Sequence, residues 1–224
     1  MAQIFEPDPA DPDAAERAVD AAVEALAGGA LVVFPTETVY GIACRADLPA
    51  ATARLFTAKR RPSDLALPVM AVTAVEALAL GQPSASARTL ADAFWPGRLT
   101  VVVRRGERAA GWSLGARSAT IALRVPDHPV AQAVLARAGG LAVSSANLSG
   151  SDPAATSQDL FEAFGERVAV YLTQSEPLDP AAHPPSTVVD VTEDRPRILR
   201  RGELTEDAIR SALVRTSAPG HSID

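Results

Sequence analysis

Ala30-Leu31-Val32-Val33-Phe34 is apolar at every position, with Gly28-Gly29 before it and Pro35 after it. A half-exposed strand would alternate apolar and polar residues, and the run is too short for an ordinary helix. It fits a strand buried on both faces, inside a sheet that is covered on both sides. Residues 67–72, 99–104, 119–125, 141–144, 168–172 and 187–191 read as further strands. Between them lie stretches of helical spacing. Asp11 before Pro12 reads as a helix cap, and Val19, Ala22, Val23 and Leu26 then recur on one face until Gly28-Gly29 ends the helix. Residues 49–58, 73–80, 84–94, 130–138, 157–164 and 205–214 are also helical, the last with Thr205 as N-cap and an incomplete capping box because Ala208 stands at N3. Strands and helices alternate loosely, so the predicted class is α/β with a mixed sheet. One domain over residues 1–215 is expected, followed by a flexible tail at 216–224, and the Pro-rich stretch 176–185 is expected to be a mobile loop.

The chain has 224 residues, 47% hydrophobic and 21% charged, enough for a proper core without metal or disulfide staples. Its single cysteine, Cys44, fits a reducing compartment. No basic and apolar leader pattern opens it and no run suits a bilayer, so a cytoplasmic protein is expected, with no membrane partner. A net charge of −6 argues against broad binding to nucleic acid. The charge is uneven, however. Seven acids fall in the first 24 residues, whereas the segment 98–124 carries six arginines and one acid, Glu107. An acidic protein can still present a basic cleft to a small anion.

Arginine holds nearly every cationic position: there are 20, against a single lysine, Lys59. A compact ammonium enters tight spaces between oxygens that a planar guanidinium does not. Lys59 sits in Lys59-Arg60-Arg61-Pro62 at a predicted helix end, where cations also complement the helix dipole. Pro35-Thr36-Glu37-Thr38-Val39-Tyr40-Gly41 leaves the buried strand carrying hydroxyls, a carboxylate and a phenol, either a ligand loop or a tight polar turn. Residues 141–150 run from an apolar strand into Ser144-Ser145-Ala146-Asn147, the chemistry of a neutral cradle for anionic oxygens or of a simple turn. Residues 185–190 and 198–202 add a strand start and a possible phosphate fork. No phosphate-binding Gly-rich loop, dinucleotide fingerprint or metal-ligand spacing occurs. His128 reads as a surface turn residue, His183 and His221 lie in proline-rich and tail contexts, and nothing marks Cys44 as a nucleophile.

These segments, in this order, closely resemble the YrdC-like family of L-threonylcarbamoyladenylate synthases. The family-like strings are PTETVYGIA, the K-x-R of Lys59 and Arg61, WPGRLT at 95–100, ALRVPDHP at 122–129, SSANLSG at 144–150, PSTVVDV at 185–191 and LRRG at 199–202. The resemblance covers residues 15–213 and is that of the short, single-domain form. Three positions depart from it. Arg98 replaces a usual proline, Leu65-Ala66 replaces Lys-Pro, and Met70 stands where many members carry a substrate-contacting histidine.

The resemblance implies an open, twisted mixed sheet curved around a large central cavity and flanked by helices. It also implies a nucleotidyltransferase that makes threonylcarbamoyl-AMP and pyrophosphate from L-threonine, bicarbonate and ATP. Threonylcarbamoyl-transferase proteins would take the product to tRNA, which this chain meets only indirectly. Bringing anions together calls for charge neutralisation and alignment more than proton transfer. Lys59 and Arg61 are then expected at the triphosphate, Ser145 and Asn147 at phosphate or carbamate oxygens, and Arg200 at a further phosphate. Thr36, Arg124 and Ser186 are expected to hold threonine, with Arg124 pairing its carboxylate. Mg²⁺ is expected through the ATP phosphates, because no carboxylate cluster is visible. The alternatives are a non-catalytic RNA-binding or nucleotide-binding regulatory module of the same fold, and a carbamoyl-adenylate enzyme with another acceptor.

Overall fold

A computed structural model describes residues 1–7, 11–62, 64–115, 119–178, 182 and 184–217. Helices α1 (Pro12–Ala27), α2 (Pro49–Lys59), α3 (Ala74–Leu78), α4 (Ala85–Phe94), α5 (Pro129–Ala138), α6 (Ser157–Phe164) and α7 (Glu206–Ser217) surround one mixed sheet. Its strands are β1 (Gln3–Phe5), β2 (Val32–Phe34), β3 (Gly41–Arg45), β4 (Val69–Met70), β5 (Gly81–Gln82), β6 (Leu99–Arg105), β7 (Thr120–Arg124), β8 (Leu141–Ser145), β9 (Val170–Leu172), β10 (Thr187–Asp190) and β11 (Arg197–Arg200). They run in the order β1-β9-β2-β3-β8-β4-β7-β6-β10-β11, with β5 paired to β6 off this path. Among the described residues, no helix is long and apolar enough to cross a membrane.

Local chemistry sets the helix ends. Asp11 Oδ1 accepts from Ala14 N at 3.0 Å with Pro12 behind it, as the sequence predicts. Ser84 caps α4, Thr205 accepts from Ala208 N, and Thr156 with Asp159 closes a full capping box on α6. The expected helix at 205–214 runs on to Ser217, which takes residues 216 and 217 out of the expected tail, and the rest of that tail, residues 218–224, lies outside the described set. So do residues 179–181 and 183 of the Pro-rich stretch, together with His183 and His221. Strands β1, β3, β5 and β11 are additions to the sequence reading, and the expected strand at 67–72 shrinks to Val69–Met70.

Strand alternation divides the core in two. Val33, Ile42, Cys44, Val69, Val101, Leu123 and Val189 face one way, against Leu55 of α2, Leu90 of α4, Leu160 of α6 and Ile209 of α7. Val32, Phe34, Ala43, Met70, Leu141 and Val143 face the other way, against Ala22 and Leu26 of α1 and Ala131, Val134 and Leu135 of α5. Both faces of β2 are therefore buried, as its uninterrupted apolar run requires. The second face behaves differently farther along the sheet. On β7, β6, β10 and β11 its outward positions are Ala122, Arg124, Thr100, Val188 and Arg200, which line a cavity. The site occupies the stretch of this face that α1 and α5 leave uncovered.

Candidate functional site

The cavity has a volume of about 280 Å³. Strand register builds its floor: Met70 pairs with Arg124, Thr100 with Val188, and Val188 with Arg200. The Val101–Leu123 pairing, extended by one residue, brings Thr100 beside Arg124. Gly41 pairs with Ser145 at the far side, and a Cβ on Gly41 would lie 2.8 Å from Val143 Cγ1. That approach explains a glycine where the polar loop re-enters the sheet.

The Pro35–Tyr40 loop folds on its own hydroxyls. Thr36 Oγ1 donates to Val39 O at 2.6 Å and accepts from the Thr38 and Val39 amides at 3.2 Å. Thr36 lines the cavity, but its hydroxyl already holds this turn together. Thr38 Oγ1 accepts from both Nη atoms of Arg124 at 3.2 Å. Arg124 Nε donates to Gly97 O at 3.1 Å, and Nη2 meets Glu37 Oε1 at 2.7 Å. The WPGRLT and PTETVYG segments thus meet on one guanidinium.

Helix α2 ends with Arg60 in the left-handed region (φ 51°, ψ 37°). This turn leaves Arg60 exposed, buries Lys59 and brings Arg61 to the cavity wall. Lys59 is 1% exposed, and its Nζ donates to Ser145 O and, at 2.6 Å, to Asn147 O. Its own carbonyl accepts from Ser149 N at 3.1 Å. Burial, and secondarily the charge of Arg61, push the ammonium down to about 8. Asn147 Nδ2 donates to Leu148 O at 2.9 Å and Ser151 O at 2.7 Å, while its buried Oδ1 has no partner among the described residues.

Of the eight residues predicted for the site, Thr36, Arg61, Arg124, Ser145, Ser186 and Arg200 line the cavity. Lys59 and Asn147 lie behind the wall. Here the lysine grips the Ser145–Asn147 main chain from the back, so its charge acts through the loop that carries Ser145. Arg61 is held by main-chain oxygens, Nε to Leu65 O and Nη2 to Ala66 O, each at 3.0 Å. Arg200 Nη2 reaches Ser186 O at 2.8 Å and Ser186 Oγ at 2.9 Å, and Ser186 Oγ lies 2.8 Å from Thr100 Oγ1. Gly202 follows because a Cβ there would sit 2.1 Å from Pro185 O. Desolvation, then the charges of Arg124 and Arg61, lower the Arg200 pKa, which places the three guanidinium groups in one electrostatic field.

Glu37, Thr38 and Thr100 belong to this site and were not among the predicted residues. Each lies in a segment that the sequence singles out, but only the fold shows which hydroxyl faces which arginine. His128, read as a surface turn residue, is a half-buried cap of α5 whose Nδ1 accepts from Val130 N at 3.3 Å. Cys44 is fully buried, and burial pushes its thiol up to about 12, which removes it as a nucleophile.

A sheet that curves around three convergent arginines, with serine hydroxyls beside them and no activated nucleophile among the described residues, defines an α/β protein built to hold anionic substrates. The chain belongs to the Sua5/YciO/YrdC family, whose sequence model, described as telomere recombination, matches residues 24–202. It is 42% identical over 215 residues to a Mycobacterium leprae (strain TN) protein provisionally named threonylcarbamoyl-AMP synthase, covering 95% of this chain and 94% of that one. A Bacillus subtilis (strain 168) threonylcarbamoyl-AMP synthase is 33% identical over 186 residues, covering 82% of this chain and 53% of its own. The structure of P. abyssi Sua5 complexed with L-threonine superimposes with a TM-score of 0.78 at 29% identity, covering 95% of this chain. This chain spans 61% of that Sua5 chain, so the latter two relatives are substantially longer.

Proposed function

We propose that this chain is a threonylcarbamoyl-AMP synthase, an enzyme that joins L-threonine, bicarbonate and ATP into threonylcarbamoyl-AMP and pyrophosphate. The observation that carries the reading is the convergence of Arg61, Arg124 and Arg200 on one cavity, with Ser145 and Ser186 between them. Its relatives' names and the threonine complex of a structural neighbour point the same way.

The chemistry assigns each group a task. Threonine's amine and bicarbonate give a carbamate and water. A carbamate oxygen then attacks the α-phosphorus of ATP, and pyrophosphate leaves, so the reaction is a nucleotidyl transfer. Both partners are anions, and their approach in a water-poor cleft is slow unless fixed positive charge is already in place. In this reading Arg124 pairs the threonine carboxylate on the cavity floor, beside Thr36 and Ser186. Arg61 and Arg200 take the triphosphate, with the Ser145 hydroxyl on a phosphate or carbamate oxygen. Lys59 and Asn147 support that serine from behind, Lys59 by fixing the two carbonyls that orient the loop.

Mg²⁺ would enter with ATP and add charge neutralisation at the phosphates. Among the described residues no group of three His, Cys, Asp or Glu side chains could hold it, so its ligands would be phosphate oxygens and water. The product would pass, in the cytoplasm, to a transferase that delivers it to tRNA. The test is incubation of the purified protein with ATP, bicarbonate and threonine, with pyrophosphate and adenylate product followed by mass spectrometry. Threonine-dependent threonylcarbamoyl-AMP is expected. ATP binding without product would replace the synthase reading with that of a nucleotide-binding regulator.

A further inference from the structure

Arg124 differs from the other cavity arginines in one respect: it sits against a carboxylate. Its Nη2 meets Glu37 Oε1 at 2.7 Å, with the two side chains 6% and 13% exposed. Arg61 and Arg200 are oriented by main-chain carbonyls and, for Arg200, by the Ser186 hydroxyl. Among the described residues neither has a salt-bridge partner. A carbonyl fixes a guanidinium without neutralising it, whereas a buried carboxylate cancels most of its net charge. Glu37 Oε2 is buried with no hydrogen-bond partner among the described residues, so Arg124 is the principal compensation for this carboxylate.

Depth separates the two kinds of arginine. Arg124 is buried on the cavity floor, Arg61 is half-buried on one wall, and Arg200 is exposed on edge strand β11. Arg124 and Arg200 stand three strands apart in the sheet, on β7 and β11 with β6 and β10 between them. The floor therefore carries a near-neutral Arg–Glu pair, whereas on the walls Arg200 has no salt-bridge partner among the described residues and Arg61 feels only the more distant charge of Asp64. A neutral pair suits a zwitterion such as an α-amino acid. It attracts a polyphosphate much less than the walls do.

We propose that Glu37 is the positioning residue that sets this division: by neutralising and orienting Arg124, it reserves the floor for the amino acid and leaves polyphosphate to Arg61 and Arg200. This rests on the synthase reading given above. Glu37 does not itself line the cavity, so it acts through Arg124. Without its charge, Arg124 becomes a third net cation and the floor becomes a second anion site.

The test is calorimetric titration of threonine into the wild type and into Glu37→Gln, which keeps the side-chain shape, with and without inorganic pyrophosphate. In the wild type, pyrophosphate should leave the threonine Kd within about twofold. In Glu37→Gln, the same pyrophosphate should raise it about tenfold or more, the size expected from adding one unscreened charge at a polyanion site. A merely structural role would weaken threonine binding without creating this competition. Equal pyrophosphate sensitivity in both proteins overturns the proposal. Competition in the wild type overturns it whether or not the variant folds, as does a wild type that binds no threonine. Product formation, measured on the same preparations, judges the synthase reading separately: threonine binding without threonylcarbamoyl-AMP refutes that reading and leaves the Glu37 result standing.

Discussion

Replacing Lys59 by methionine keeps the length of the stem and removes only the ammonium, and the structure gives the balance that follows. Ser145 O and Asn147 O each lose a donor, at about 1–3 kcal/mol apiece when left unpaired in a buried site. Against this, the pKa lowered from 10.5 to about 8 means that the fold disfavours the cation by on the order of 3 kcal/mol, and methionine relieves that cost. The two contributions are of similar size, so Lys59→Met should fold, with a melting temperature within about 10 °C of wild type. Turnover is a different matter. The freed Ser145–Asn147 loop no longer presents Ser145 in register, and a displacement of about 1 Å at a reacting centre costs roughly a hundredfold. Thermal unfolding by circular dichroism and threonine-dependent pyrophosphate release separate the two effects. Wild-type turnover in a well-folded Lys59→Met would refute the reasoning. Lys59→Arg should also lose turnover, since a planar guanidinium overfills a site that is 1% exposed.

Three further outcomes follow from the same geometry. The folded-state pKa of Lys59 lies below its unfolded value, so between pH 8 and 10.5 the unfolded chain binds more protons and the stability contributed by this site rises with pH. Turnover should fall as pH rises through about 8, where the folded ammonium loses its charge; pH profiles of melting temperature and rate would expose a wrong sign, and Lys59→Met should flatten the stability slope. Arg60→Gly should stabilise the protein by about 1 kcal/mol, because a glycine adopts the left-handed end of α2 without strain, and pyrophosphate release should stay within about twofold of wild type. Gly202→Ala should do the reverse: with Pro185 O 2.1 Å from the new Cβ, the Ser186–Arg200 contact must shift, which would appear as a raised KM for ATP with a lowered melting temperature.

What the sequence made legible, and what it hid, follows from the range of the forces involved. The apolar run before Pro35, the Asp11 cap and the Thr205 cap are local signals, and each became the expected element. β3 was missed because Ile42-Ala43-Cys44 is short, and its strand character comes from antiparallel partners on both sides, β2 and β8. β11 was read as a possible phosphate fork because an edge strand rich in arginine carries little strand propensity of its own. Which residues bear chemistry was largely readable from their order along the chain. Which way each one points was not. Lys59 turns to carbonyls because an αL residue at position 60 buries it, and Glu37 finds Arg124 across 87 residues of chain.

The contacts around the cavity share a common logic. Arg61 and Arg200 are held chiefly by carbonyl oxygens, which fix direction while leaving positive charge to face the cleft, and Lys59 is held in the same way behind the wall. Carboxylate partners would hold these side chains as firmly and cancel the field that two anionic substrates need. The cost is visible in the lowered pKa of each of these three groups, with desolvation as the leading cause. The free protein therefore keeps cations that it has only partly solvated, and a bound polyanion supplies the missing compensation. On this view the fold spends stability where α1 and α5 leave the sheet uncovered, and recovers it when substrate arrives. Glu37 is the exception on the floor, where the ligand brings its own positive amine and a fully charged arginine would favour the wrong end of the reaction.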